Sequence, residues 1–415
     1  MFILTVAFVS RVVFIGILFV LGIPLHNDLS VGALAGDEAY NIARSLRMRD
    51  VLLGLAGSKY DYVVAYDEYG RTSYLAFLTV LQVLFGPVPY GIKVLNAAVF
   101  VAGAAVMYRL VRASYGDWPA RFGVAILLFI PTLFYSSISG LKESAYLLTT
   151  ATCLVATVHI VRGRTMVHKA VAVIAVISAV WLLSDLRRAG HLLALAGLAT
   201  GAVIWFTLRA RWRMITAAAL VVAGSIAIVA VPQLRKAAVG GLTEAAKIHT
   251  GHVYTVGHYY ALLDDGFYYT PAAPSSSPLT LTPDHATRFV LRAVGAFVLT
   301  PLPWQMRSRS ELAALPEQLL WYTLLAGLPL GFVAGWRRDP LLTALLTGYV
   351  VPTAAVIALT SGNVGTLMRL RGLLTPYLLW VSVLGYCVLL EWIVSTRMRR
   401  DAPSPEFGAV SRATR

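Results

Sequence analysis

Charged residues are scarce: Asp, Glu, Lys and Arg together make up 13% of a 415-residue chain, against about a quarter in ordinary soluble proteins. Hydrophobic residues make up 58% and the mean hydropathy is +0.71. A soluble fold of that composition would be all core with almost no surface, which the scaling of area with chain length excludes. Acidic residues are the rarer sign, 20 against 35 basic, leaving a net charge of +15. The excess does not point to nucleic acid, because the basic residues form no single-face patch; they fall in short clusters between apolar runs, where they orient a membrane protein. Only six of the 35 basic residues are lysines, a bias towards arginine of the kind a GC-rich genome produces. The two cysteines, Cys153 and Cys387, each lie inside an apolar run, so no disulfide framework is expected. The first apolar run has no basic segment ahead of it and no small-residue cleavage site, and is expected to be a retained helix rather than a secretory signal. No repeat of fixed period is present.

What remains is long apolar runs. A membrane span needs about 20 mostly apolar residues, and about ten segments fit: roughly 2–24, 90–112, 119–137, 143–161, 168–185, 190–208, 213–231, 317–335, 341–360 and 373–394. The expected fold class is therefore all-α, a polytopic membrane helix bundle of about ten transmembrane helices. It is read as one transmembrane domain over 1–400, followed by a cytoplasmic tail at 401–415 whose Pro, Ser and Arg content predicts disorder. With the N-terminus in the cytoplasm, the cytoplasmic connections carry Arg109, Arg112 and Arg121, then Arg162, Arg164 and Lys169, then Arg209, Arg211 and Arg213, then Arg337 and Arg338, and finally Arg397, Arg399 and Arg400. That unbroken alternation agrees with the positive-inside rule and supports the number of spans.

The opposite face carries two long loops, about 25–89 and 232–316. The first contains an apolar stretch ending in Leu84-Phe85-Gly86 that is too short to span and reads as an interfacial or re-entrant helix. Polar clusters gather on this face. Gly36-Asp37-Glu38-Ala39-Tyr40 follows the first span; two carboxylates near a membrane are costly unless solvated or used. On a helix they diverge by about 100°, so one can act while the other orients a neighbour. The plainer alternative is a helix start with Asp37 as cap. Lys142-Glu143 occupies the tight turn before the fourth span, either as a self-neutralising pair or as a second carboxylate able to share a divalent cation, Mg or Mn, with Asp37 or to orient a phosphate. Arg187 and Arg188, in Ser184-Asp185-Leu186-Arg187-Arg188, and Arg369 and Arg371, after the glycine-containing Ser361-Gly362-Asn363-Val364-Gly365, break the positive-inside pattern. Basic residues on that side need another reason, and a phosphate supplies one, although Asp185 could simply neutralise one arginine. A Tyr- and His-rich stretch from His249 to Tyr269 reads chiefly as interface anchoring, and its histidines lack zinc-ligand spacing.

Asp37-Glu38-Ala39-Tyr40, the short apolar helix ending at Gly86, Lys93-Val94-Leu95-Asn96, Pro131 and the acid at position 143 together resemble the GT-C superfamily of integral membrane glycosyltransferases. Within it they are most similar to bacterial relatives of protein O-mannosyltransferases and of the aminoarabinose transferase that modifies lipid A. The likeness covers about the first 160 residues; beyond them only the architecture corresponds. Where those relatives carry a basic, proline-rich motif ahead of the re-entrant helix, this chain has Asp67-Glu68-Tyr69-Gly70-Arg71. The resemblance implies a GT-C type fold in a bacterial inner membrane, an active site on the non-cytoplasmic face and a polyprenyl-phosphate sugar donor. It also implies a glycan, lipid or protein acceptor hydroxyl, with membrane lipids around the chain and no nucleic-acid partner. Asp37, Glu38 and Glu143 are then the expected catalytic acids, with Asp37 as base and Asp37 and Glu143 as the pair for a metal. Tyr40, Lys142, Arg187, Arg188, Arg369 and Arg371 are the expected substrate and phosphate ligands. Two rivals stand beside this reading: a glycan polymerase or ligase with a lipid-diphosphate donor, and a lipid or small-molecule transporter, which would need broken helices in paired positions and polar residues at the midplane.

Overall fold

The structure, a computed structural model, describes residues 2–22, 36–67, 72–187, 189–254, 258–268, 280–306 and 308–401. Among them no strand occurs, and the chain folds into helices throughout. In order these are α1 (Phe2–Gly22), α2 (Gly36–Leu52), α3 (Lys59–Tyr66), α4 (Ser73–Phe85), α5 (Pro89–Tyr115), α6 (Asp117–Phe129) and α7 (Pro131–Ser137). There follow α8 (Glu143–Arg162), α9 (Met166–Leu186), α10 (Gly190–Thr207), α11 (Arg211–Ala230), α12 (Pro232–Val253), α13 (Asp265–Tyr268) and α14 (Pro283–Leu299). The last are α15 (Arg309–Ala313), α16 (Leu315–Arg338), α17 (Pro340–Thr360), α18 (Val364–Arg371) and α19 (Thr375–Asp401).

Nine of these, α1, α5, α8, α9, α10, α11, α16, α17 and α19, are long and apolar enough to cross a membrane, and α6 with α7 makes a tenth if the bent pair counts as one. The protein is thus a multi-pass membrane bundle. Outside it, α2, α3 and α4 fill the first long loop, while α12 to α15 occupy the second. The apolar stretch before Gly86 is helical, as expected, and at 13 residues it covers only about 20 Å. It lies against α2 and α9. Only the first residue of the proposed tail, Asp401, is among the described residues.

One expected span differs. The segment at 119–137 is not a continuous helix; it bends by 64° between α6 and α7. Pro131 has no N–H to bond back along the helix, and its ring forces Ile130 out of the helical region, to φ −59 and ψ 124. The break leaves the Leu128 carbonyl and the Thr132 amide without each other. Two charged side chains from elsewhere replace that bond. Arg11 of α1 donates Nη2–H to the Leu128 carbonyl at 2.6 Å, and Glu317 of α16 accepts the Thr132 N–H at 2.8 Å and its hydroxyl at 2.6 Å. Arg11 is fully buried; it also donates to Ser137 Oγ at 2.7 Å and lies over the rings of Phe134 and Phe100. An intramembrane charge is tolerated where polar backbone needs it.

Elsewhere the bundle packs through small residues. α10 lies along α17 and α16 along α19, and at both crossings glycines let the backbones touch: a Cβ on Gly348 would strike Gly201, and one on Gly331 would strike Val381. Such close approach replaces the hydrophobic drive that lipid removes. By contrast, α11 packs chiefly against its chain neighbours α10 and α12 and buries no side chain among the described residues.

Candidate functional site

The candidate site lies at the end of the bundle that bears the long loops. Asp37 and Glu38 are both in the first turn of α2, where the helix dipole favours acids, and the helix sends them apart. Glu38 turns inward. Its side chain and that of Lys93 from α5 are fully buried and form an ion pair of 2.9 Å. Glu38 Oε1 also accepts the Gly140 N–H at 2.7 Å. The turn that contains Gly140 is held from α5 as well: Asn96 Nδ2 donates to the carbonyls of Ser139 at 2.6 Å and Leu141 at 2.8 Å. From α4, Tyr74 donates its hydroxyl to the Leu141 carbonyl at 3.1 Å. Three elements therefore fix the turn that presents Lys142 and Glu143.

Asp37 turns outward, with 63% of its side chain exposed, whereas Glu143 at the start of α8 keeps only 8%. One guanidinium joins them. Arg369, from α18, donates Nε–H to Glu143 Oε1 at 2.9 Å and Nη1–H to Asp37 Oδ2. Burial alone would lower the Arg369 pKa, but the two carboxylates outweigh it and hold the value above the ordinary one. Glu143 Oε2 is buried and accepts no hydrogen bond among the described residues. α18 is anchored in turn. Asn363 caps its first turn by accepting from the amides of Gly365 at 2.9 Å and Thr366 at 3.4 Å. The second long loop pairs with the segment before it through Tyr260 N–H to the Gly362 carbonyl at 3.1 Å and Val364 N–H to the His258 carbonyl at 2.9 Å. Buried His249, whose pKa desolvation lowers to about 4, contacts the Ser361 carbonyl through Nδ1 at 2.9 Å.

Beside this bridge stand two further cations. Lys142 has no hydrogen bond or ion pair from its ammonium group among the described residues. Its pKa is lowered first by burial and then by the positive charge of Arg187, which ends α9. The Arg187 guanidinium is likewise unpaired among the described residues. Lys142 thus lies within electrostatic reach of Arg187, Arg369, Glu143 and Asp37, an excess of positive charge at a partly desolvated surface. Such a surface attracts an anion. It does not fit a divalent cation as it stands, because the two carboxylates expected to share one share the Arg369 guanidinium instead. Among the described residues no group of three or more His, Cys, Asp or Glu could hold a metal.

Of the residues expected at the site, Asp37, Lys142, Glu143, Arg187 and Arg369 come together. Glu38 is one step removed, buried beneath the turn. Tyr40 lies a turn along α2, half exposed, its hydroxyl accepting from Arg44 at 2.5 Å. Arg371 is not brought to the cluster. It is buried and donates to Gln318 Oε1 at 2.9 Å, to the Thr300 carbonyl at 2.6 Å and to the Phe297 carbonyl, with Trp321 under its guanidinium. Arg188 lies outside the described residues, as does Tyr269. Lys93, Asn96, Arg11 and Glu317 were not singled out as site residues. The available signal was a lone charge or amide inside an otherwise apolar helix. Compared with known proteins, the chain matches no family model, no curated protein and no solved structure.

Proposed function

We propose that the protein is a GT-C type glycosyltransferase that moves a sugar from a polyprenyl-phosphate donor to an acceptor hydroxyl on the non-cytoplasmic face of a bacterial inner membrane. The observation that carries this reading is the pairing of an exposed acid, Asp37, with two unpaired cations, Lys142 and Arg187, at the loop-bearing end of the bundle. Lipid phosphate and a hydroxyl that must lose a proton call for that combination. In the proposed step the acceptor oxygen forms a bond to the anomeric carbon while Asp37 takes its proton. The bond from that carbon to the phosphate oxygen breaks on the opposite side, with inversion, and the electron pair leaves with the lipid phosphate. Lys142 and Arg187 stabilise the charge that develops there. Arg369 orients the Asp37 carboxylate and ties it to Glu143.

A cryo-EM map of the protein with decaprenyl monophosphate tests the reading. Phosphate density against Lys142 and Arg187, with Asp37 facing the adjoining space, is the expected result. Lipid lodged in a midplane cavity open to both sides, away from Asp37, would overturn the transferase in favour of transport.

A further inference from the structure

At the end of the bundle opposite the candidate site, α5 and α8 enclose a groove of about 430 Å³. Its length is apolar, formed by Val106, Leu110, Val155 and Val158, and its mouth carries Arg109, His159 and Arg162. The positive-inside pattern makes this the cytoplasmic surface. The three basic side chains differ in what already holds them. Arg109 is exposed and makes no hydrogen bond or ion pair among the described residues. Arg162 uses Nη2 to bond Asp339, the N-cap of α17, and keeps Nε and Nη1. His159 donates Nδ1–H to the Val155 carbonyl at 2.8 Å, which leaves Nε2 of the neutral ring an acceptor and no phosphate ligand. Asp339 is the acid at this mouth and is itself buried.

We propose that this groove binds an anionic phospholipid of the inner leaflet, with the headgroup phosphate on Arg109 and Arg162 and an acyl chain along the valines and Leu110. The charge argument is local. An apolar channel at the membrane boundary selects a chain, and a mouth with one wholly unpaired guanidinium and one half-used guanidinium selects a phosphate. A solvated basic rim would explain the arginines but not an apolar groove leading away from them. The site is independent of the transfer chemistry, since none of its residues lies at the loop-bearing end.

The test compares the full-length protein in nanodiscs of phosphatidylcholine alone and of phosphatidylcholine with phosphatidylglycerol, followed by native mass spectrometry of the lipid retained after release. Wild type is expected to retain phosphatidylglycerol selectively. Arg109→Gln should weaken that retention about five-fold, the weight of one basic side chain at an anionic surface. Arg211→Gln, at the same membrane surface but outside the groove, should leave it unchanged. Arg109 supports no other side chain, so its variant is expected to keep the wild-type elution volume, which checks folding directly. Equal retention of the two lipids by wild type, or equal losses in the two variants, would overturn the site in favour of a diffuse charge effect.

Discussion

Replacing Lys93 with methionine strands a carboxylate in the interior. The Glu38 and Lys93 side chains are both fully buried and 2.9 Å apart, so solvent screening does not soften the loss as it does at a surface. Methionine keeps most of the length and apolar bulk of the lysine stem, which limits the cavity contribution. What remains is a buried anion whose counter-charge is gone. Breaking such a pair from one side typically costs about 3–5 kcal/mol, a large fraction of the stability of an average domain. Removing both charges is a different perturbation. Lys93→Met with Glu38→Gln leaves no buried ion, and a glutamine oxygen can still accept the Gly140 N–H that Glu38 now takes at 2.7 Å. The double variant should therefore be more stable than Lys93→Met alone, with a coupling energy of several kcal/mol in the cycle, well above the ~0.5 kcal/mol scatter of independent sites. Thermal and denaturant unfolding in mild detergent, run on wild type, both single variants and the double, measures it. A Lys93→Met protein within about 1 kcal/mol of wild type would refute the argument, because losing the lysine counter-charge of a buried carboxylate cannot be that cheap. So would a double variant whose loss is the sum of the two singles.

Three further outcomes concern the site. Asp37→Asn should lower transfer by about 10²–10⁴-fold, the usual weight of a positioned base, while the unfolding midpoint stays close to wild type because the side chain is mostly exposed; near-normal turnover would remove Asp37 as base. Donor-phosphate binding should weaken on the alkaline side. Burial and Arg187 lower the Lys142 pKa below its ordinary 10.5, so its positive charge is lost at lower pH than that of an ordinary lysine as pH rises. Lys142→Arg should abolish that decline in a titration of Kd against pH, and an unchanged profile would count against Lys142 as a phosphate ligand. Chelation with EDTA is expected to leave turnover intact, as Arg369 already joins the two carboxylates; a loss restored by manganese would return a divalent cation to Asp37 and Glu143.

The spans were legible because lipid imposes one simple demand, a long apolar helix, and nine of the ten expected runs are single helices in the structure, the third being broken at Ile130. Pro131 was visible in the third run, which was nevertheless expected to cross unbroken, and neither the break nor its repair was read. Arg11 and Leu128 are 117 positions apart and Glu317 and Thr132 are 185 apart, and nothing local links them. The candidate site was half legible for the same reason. Arginines on the wrong side of the membrane pointed to Arg187 and Arg369, but they could not separate Arg369 from Arg371. On a helix, residues two apart point about 200° away from each other, so one arginine reaches the acids and the other faces Trp321 and Gln318. Likewise Asp37 and Glu38 had to diverge, and only packing against Lys93 decided which went inward.

The bridge from Arg369 to Asp37 joins positions 332 residues apart, which gives the protein a particular biogenesis. During synthesis both carboxylates are in place long before α18 leaves the ribosome, and neither has its guanidinium. The bridge closes only when α18 has been made and brought against α2 and α8. A nascent chain halted before α18 is therefore expected to insert most of its helices yet lack the bridge, and a quality-control protease that reads exposed polarity would find Glu143 without its guanidinium.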